Sequence, residues 1–384
     1  MDIKKLKEKF VQLYSQEPLI IKSPGRVNII GEHTDYNNGF VLPGAIDKAA
    51  YLAISLRDDE EIHLTAMDLN ESFHVSINDL KPVGDISWPN FMLGVAAQFV
   101  RKGIALKGFN AVLMSDVPIG AGLSSSAAIE CATCFGLNEL LHTNLDKMTM
   151  VLMAQKAEHE YAGVLCGIMD QFASMMGKKN HVMKLDCMTM NYDYIPFNID
   201  GFKILLLNTN VKHSLASSEY NTRRKECMKA MGWIKESNPS VKSLRDATVD
   251  MLKKDVFSKD ALVYQRAEFV VEEISRLQQA CIDLQKGDLD ALGDKMYTTH
   301  FGLSQKYQVS CKELDFLVNE TLNTNAVIGS RMMGGGFGGC TINLVKESEI
   351  EELISVIKPR YEQAMSLPLS FQIVTIENGT EIIE

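Results

Sequence analysis

No stretch of the 384 residues is apolar for long enough to cross a bilayer, and neither a low-complexity tract nor an internal repeat interrupts them. Basic charge is also scarce: 39 Lys and Arg stand against 49 Asp and Glu, a formal net charge of −10. Bulk nucleic acid binding needs clustered cations, so no such partner is expected, and a polyanionic substrate requires a local positive site. The eight cysteines are scattered, with no dense framework, which fits reduced thiols in a cytoplasmic protein. Cys131 and Cys134 have a redox-like spacing, but they lie in an Ala-rich helical stretch with no second metal-spaced pair, so core packing is expected of them. A secretory leader is not expected either, because Ile3, Leu6, Phe10 and Leu13 have the spacing of an amphipathic helix. Two familiar nucleotide signatures are missing: no GxxxxGK[ST] lysine follows the glycines, and no protein-kinase HRD or DFG set is found.

What is present is ordinary in bulk and unusual in three places. Apolar residues make up 46% and charged residues 23%, values typical of a globular protein, and the length predicts two domains. The first unusual place is Ser-Pro-Gly-Arg-Val-Asn-Ile-Ile-Gly-Glu-His-Thr-Asp-Tyr, beginning at Ser23, where Glu32, His33, Thr34 and Asp35 follow a strand-like apolar run. Carboxylates beside an imidazole offer acceptors and a donor to a polyol, so a sugar ligand is the first expectation. A polar hairpin turn over Asn37, Asn38 and Gly39 is the alternative. Arg26 can aim a planar fork of donors at phosphate oxygens, or be a surface charge.

The second place, Pro118-Ile-Gly-Ala-Gly-Leu-Ser-Ser-Ser-Ala, follows an apolar strand and opens a helix. Free N–H groups and the positive helix end converge there, and a phosphate is expected. Ser124, Ser125 and Ser126 either cap that helix or put a hydroxyl on a metal. The third is the run from Gly329 to Cys340, with five glycines in six positions, which is a glycine hairpin or a loop lying against a ligand. Asp170, flanked by Ile168, Met169 and Phe172, can cap a helix, pair with a cation or act as a base, and capping is the first expectation.

Periodicity predicts a helix at the N-terminus, then strands at 19–22, 27–30, 49–56, 62–67 and 73–77, a helix at 91–102, a strand at 109–114, and helices at 123–141, 145–162 and 168–176. A boundary is expected after the polar stretch 191–201, giving domains 1–198 and 199–384. A strand follows at 203–208, then long helices over 214–324 and strands at 326–330, 341–345 and 370–376. Strands first and helices after is the α+β pattern.

Taken together, residues 25–43, 118–128 and 329–340 resemble the three signature motifs of the GHMP kinases, and the first is similar to that of the galactokinases within them. The likeness extends through 167–171 and 210–224. It implies an N-terminal domain like ribosomal S5 domain 2 and a ferredoxin-like C-terminal domain, with the active site between them. It also implies ATP-dependent phosphorylation of galactose at the C1 hydroxyl, the first committed step of the Leloir pathway, by a monomer. On the resemblance, Asp170 and Arg26 are catalytic, while Glu32, His33, Thr34, Asp35, Gly167 and Tyr220 bind sugar. Gly120, Ala121, Gly122, Leu123, Ser124, Ser125, Ser126 and Trp88 take ATP, and Ser126 and Glu158 hold Mg²⁺. Met333 and Gly335 stand where the third motif usually has Thr and Ala. Kinases of N-acetylgalactosamine or arabinose, and a non-catalytic galactose sensor, remain alternatives.

Overall fold

The computed structural model describes residues 2–84, 88–118, 120–211, 216–322 and 324–384, with only the backbone of 216–218. Ile119 of the expected phosphate loop, positions 212–215 of the expected 210–224 match and position 323 of the expected helical region therefore lie outside the described residues. Helix α1 (Ile3–Tyr14) starts on an Asp2 side-chain cap and buries Leu6 and Phe10. Strand β1 (Leu19–Asn28) merges the two strands expected there, absorbing Pro24 at a shift of register between Pro24 and Arg26.

Strands β2 (Phe40–Val41), β3 (Pro43–Leu56), β4 (Glu61–Ala66) and β5 (Glu71–Ser76) come next. After them run helix α2 (Pro89–Arg101), strand β6 (Phe109–Ser115), and helices α3 (Ser125–Leu140), α4 (Lys147–Ala157) and α5 (Met169–Met176). Helix α4 runs on into one wide π turn at Glu158–Ala162, a local widening that often marks functional positions. Strands β7 (His181–Asp186) and β8 (Tyr192–Pro196) pair with each other, and β7 also with β2. Strand β8 lies inside the polar stretch 191–201, where no strand is expected, and only Ile195 of it is buried, which hid its periodicity.

The second half holds β9 (Phe202–Asn208), α6 (Ala216–Ser237), α7 (Val249–Asp255), α8 (Ala261–Lys286), α9 (Leu289–Phe301) and α10 (Lys312–Thr321). It closes with β10 (Val327–Met332), β11 (Cys340–Lys346), α11 (Ile350–Met365), β12 (Ser370–Val374) and β13 (Glu381–Ile382). Helix α11 is absent from the expected pattern; it carries Pro359 internally, a residue that argues against a helix when only the sequence is read.

The first sheet runs β13-β1-β3-β6-β4-β5, with α1 packed on one face and α2 to α5 forming the cluster on the other. The second runs β10-β11-β9-β12, and its period of two sends Leu205 and Leu207 toward α11 while Ile204 and Leu206 face the large shared core. The end of the chain does not stay with the second half as expected. Ile46 bridges to Ile376 and β13 pairs with β1, so this segment completes the first sheet's edge. Among the described residues, no helix is long and apolar enough to cross a membrane.

Helix α9 lies hard against β10, where a Cβ on Gly293 would come within 1.9 Å of the Ile328 carbonyl oxygen. Gly293→Ala is expected to lower stability by roughly 1–3 kcal/mol through overpacking. Urea unfolding measures this, and a midpoint equal to that of the parent chain contradicts it.

Candidate active site

Three loops meet at a half-open cavity of about 360 Å³. Between β1 and β2 the chain turns back over residues 31–39, and Glu32, His33 and Asp35 of that turn line the cavity, so a turn and a polar site are compatible here. The turn is gripped from the second half: Glu273 of α8 accepts from the Gly31 amide at 2.9 Å and from the Thr299 hydroxyl. Behind it, Arg331 of β10 is fully buried and donates to the Glu32 carboxylate at 3.0 Å, to the Ile29 carbonyl at 2.8 Å and to the Asn28 carbonyl. Glu32 also accepts from Asn28 at 2.6 Å and from the Gly334 amide at 2.8 Å. The glycine loop after β10 is thereby pinned beside the polar turn, with Gly334, Gly336, Gly338 and Gly339 all at positive φ. It has unusual dihedrals and borders the cavity through Gly334, Gly335 and Gly336.

Asp170 sits in the first turn of α5, but its side chain does not cap. It forms a two-pronged pair with Arg26, Nε to Oδ1 and Nη2 to Oδ2, both at 2.8 Å, and Oδ2 also accepts from Ser124 Oγ. The capping expectation gives way to the cation pair, because a guanidinium 144 residues away in sequence fits both carboxylate oxygens. Arg26 Nη1 donates to the Gly122 carbonyl at 2.5 Å, fastening the glycine turn before α3 to the same group. Ser124, at φ 60°, makes no side-chain cap, so the opening of α3 faces the cavity with its amides unclaimed by that hydroxyl. Ser126 Oγ donates to Glu158 at 3.0 Å. Gln171 bridges the carboxylates of Glu158, at 2.5 Å, and the buried Glu130, at 3.0 Å.

Burial dominates the electrostatics. It pushes the Asp35 and Glu158 carboxyls up to about 7 and the His33 imidazole down to about 4. Asp35 fits only because position 167 is glycine, where a Cβ would lie 1.6 Å from its Oδ2. The Tyr220 ring of α6 packs at 5.4 Å from that of His33, tilted by 38°.

Of the residues singled out from sequence, Arg26, Glu32, His33, Asp35, Gly120, Gly122, Leu123, Ser124, Ser125, Ser126, Glu158, Gly167, Asp170 and Tyr220 line the one cavity. Three do not. The Thr34 hydroxyl is spent on the Gly31 and Phe40 carbonyls, Ala121 is buried beneath its loop, and Trp88 donates to Glu71 at 2.8 Å outside the cavity. Thr34 therefore shapes the turn instead of presenting a hydroxyl to sugar. Missed from sequence were the part of Arg331, although the third motif contains it, and those of Gln171 and Asn28, whose partners only the fold reveals.

Arg331→Met leaves Glu32 as a buried charge without its partner and should cost about 3–5 kcal/mol in chemical denaturation; a loss under 1 kcal/mol contradicts it. For Asp35 the folded carboxyl keeps its proton up to about pH 7, whereas the unfolded chain releases it near 4. The stability gained from that proton is complete below pH 4 and lost as pH climbs through 7. Asp35→Asn should therefore gain on the parent protein steadily from pH 4 to 7 and hold level above; a flat difference contradicts the raised value.

Three family models match the chain: a galactokinase galactose-binding signature at 8–56, the GHMP kinase N-terminal domain at 90–178 and the GHMP kinase C-terminal domain at 280–363. The galactokinase of Clostridium acetobutylicum is 40% identical across 99% of both chains, and that of Thermotoga maritima is 37% identical over 94% of this chain and 99% of that one. The crystal structure of Lactococcus lactis galactokinase complexed with galactose superposes with a TM-score of 0.95 at 30% identity over the whole of both chains. A Methanococcus jannaschii mevalonate kinase shares the fold, with a TM-score of 0.65, 19% identity and 94% of this chain and 99% of that one covered. Fold, motif order and full-length identity agree: the chain belongs to the galactokinase family of the GHMP kinases.

Proposed function

We propose that this chain transfers the γ-phosphoryl group of ATP to the C1 hydroxyl of galactose. The C1 oxygen forms the new bond to phosphorus, the bond from phosphorus to the ADP oxygen breaks, and the hydroxyl proton leaves, giving galactose 1-phosphate and ADP. The observation that carries this reading is the Arg26–Asp170 fork, which joins a sugar-type polar turn to a phosphate-type loop inside one cavity. Phosphoryl transfer asks a protein for positioning and for stabilisation of charge on the phosphoryl oxygens, and both are supplied here.

Asp170 has about four acceptor sites, three of them used by Arg26 and Ser124, so one on Oδ1 is left for the hydroxyl of the acceptor sugar. That carboxylate orients the hydroxyl and receives its proton. Glu32, His33, Asp35, Gly167 and Tyr220 enclose the sugar ring. The open end of α3, with the backbone of Gly120 to Ser126, cradles the β- and γ-phosphates. Ser126 and Glu158 share an edge of hard oxygen atoms on the cavity, which fits Mg²⁺, an ion that takes one or two protein oxygens and completes its shell with phosphates and water. When bound there, Mg²⁺ neutralises phosphate charge. Eight unpaired cysteines suit a reducing cytoplasm, and the cavity is complete within one chain, which supports a monomer acting on small molecules.

A coupled ADP-release assay over galactose, glucose, N-acetylgalactosamine, arabinose and mevalonate tests the substrate. Galactose should give the highest kcat/KM; ADP release with another sugar alone moves the substrate while keeping the phosphoryl transfer. Asp170→Asn should lower kcat by about 10²- to 10⁴-fold, and near-normal turnover removes Asp170 from the chemistry.

A further inference from the structure

Behind the cavity runs a chain of polar atoms that the reaction scheme above does not use. His33 Nδ1 lies 2.7 Å from the Tyr36 hydroxyl, which lies 2.8 Å from the Tyr307 hydroxyl, which lies 3.3 Å from Cys227 Sγ. Cys227 and Tyr307 are buried in the shared core, and Tyr36 packs against it. His33 lines the cavity, and its other ring nitrogen, Nε2, is buried and has no hydrogen bond of normal geometry, although the Gly335 backbone lies close enough to favour a proton on the ring. We infer that Tyr36 and Tyr307 are positioning residues that hold His33 as its Nε2–H tautomer, so that a single N–H donor is presented to an oxygen of the bound sugar. The inference rests on the sugar pocket proposed above.

The direction of the chain follows from acid and base strength. Imidazole nitrogen is a much stronger base than a phenol oxygen, and phenol the stronger acid of that pair, so Tyr36 donates to Nδ1. The Tyr36 oxygen then accepts from Tyr307. The Tyr307 oxygen in turn accepts the weak S–H of Cys227, whose sulfur takes a donor from Asn37 Nδ2 at 3.6 Å. Every hydroxyl is used once as donor, and the only proton left over is the one on Nε2. The opposite direction would make the cysteine sulfur the terminal acceptor and waste the imidazole as a base. Burial, which lowers the His33 titration to about 4, keeps the ring neutral, and a neutral ring is what makes the choice of tautomer matter. The backbone is fixed as well: His33 sits at φ 63°, held by Asn37 Nδ2 donating to its carbonyl at 3.0 Å.

The test uses the full chain, ¹⁵N-labelled, with the His33 ring signals assigned by their loss in His33→Gln. The parent protein should show a protonated Nε2 and an unprotonated, hydrogen-bonded Nδ1. Tyr36→Phe keeps the ring and removes the hydroxyl, so His33 should become a mixture of tautomers, and the KM for galactose should rise about 5- to 10-fold with the KM for ATP and kcat within about twofold. Tyr307→Phe, one step further out, should change both in the same direction by less, and it stands in if Tyr36→Phe fails to fold. A parent protein with its proton on Nδ1, or a Tyr36→Phe protein with tautomer and galactose KM both unchanged, overturns the inference. A tautomer that changes while the galactose KM stays fixed overturns it by a different route, since His33 would then face no sugar and the pocket assignment itself would fall.

Discussion

The buried pair between Glu32 and Arg331 is the constraint on which the cavity depends. Arg331 spends its guanidinium on Glu32 and on the carbonyls of Ile29, Asn28 and Met332, three of which belong to the opposite half of the chain. Such a pair is weak evidence for net stability, because desolvating both charges offsets much of their attraction. Its geometric effect is stronger. It sets the distance between the polar turn and the glycine loop, and so decides which backbone atoms Gly334 to Gly336 present to the cavity. It also occupies most of Glu32, whose two oxygens accept from Asn28, Arg331 and Gly334, leaving about one acceptor site for a ligand. A carboxylate so restrained recognises a hydroxyl in one direction only.

What could be read from the sequence divides along this line. The motifs were legible because local chemistry writes them: glycines for positive φ, serines at a helix opening, four polar residues after an apolar strand. The two sheets were legible wherever one face was buried and the period of two was clean. Strand β8 was not, since its outward side chains are polar at the edge of a small sheet, and α11 was not, since Pro359 contradicts a helix that tertiary packing nevertheless keeps. Partnerships were the least legible. Asp170 beside apolar neighbours fits a cap as well as an ion pair, and only a residue 144 positions away decides between them. Arg331 lay in plain view in the third motif, yet its role needed a carboxylate 299 positions away. Thr34 looked like a binding residue because it stands among cavity-lining side chains, whereas the hairpin itself consumes its hydroxyl.

Charge in the cavity bears on what can bind. Among the described residues, Glu32, Asp35, Glu158 and Asp170 line it against the single guanidinium of Arg26. A bare polyphosphate would be repelled by this set, so the amides at the opening of α3 and a cation carried with the nucleotide have to supply most of the counter-charge. Partial protonation eases the same problem: with Asp35 and Glu158 titrating near 7, the empty cavity holds fewer negative charges at neutral pH than its residue list implies.

In the proposed reaction Arg26 connects the two ends. Of its five N–H groups, two go to Asp170 and one to the Gly122 carbonyl, so two remain, one on each terminal nitrogen. The same rigid plane can therefore hold the carboxylate that orients the attacking hydroxyl and, without letting go of it, donate to the oxygens of the phosphoryl group under attack. In that arrangement one rigid planar group would help to set the separation of nucleophile and phosphorus. Lysine in that position could neutralise charge but could not bridge, because a point donor on a flexible stem offers no fixed angle between its two partners.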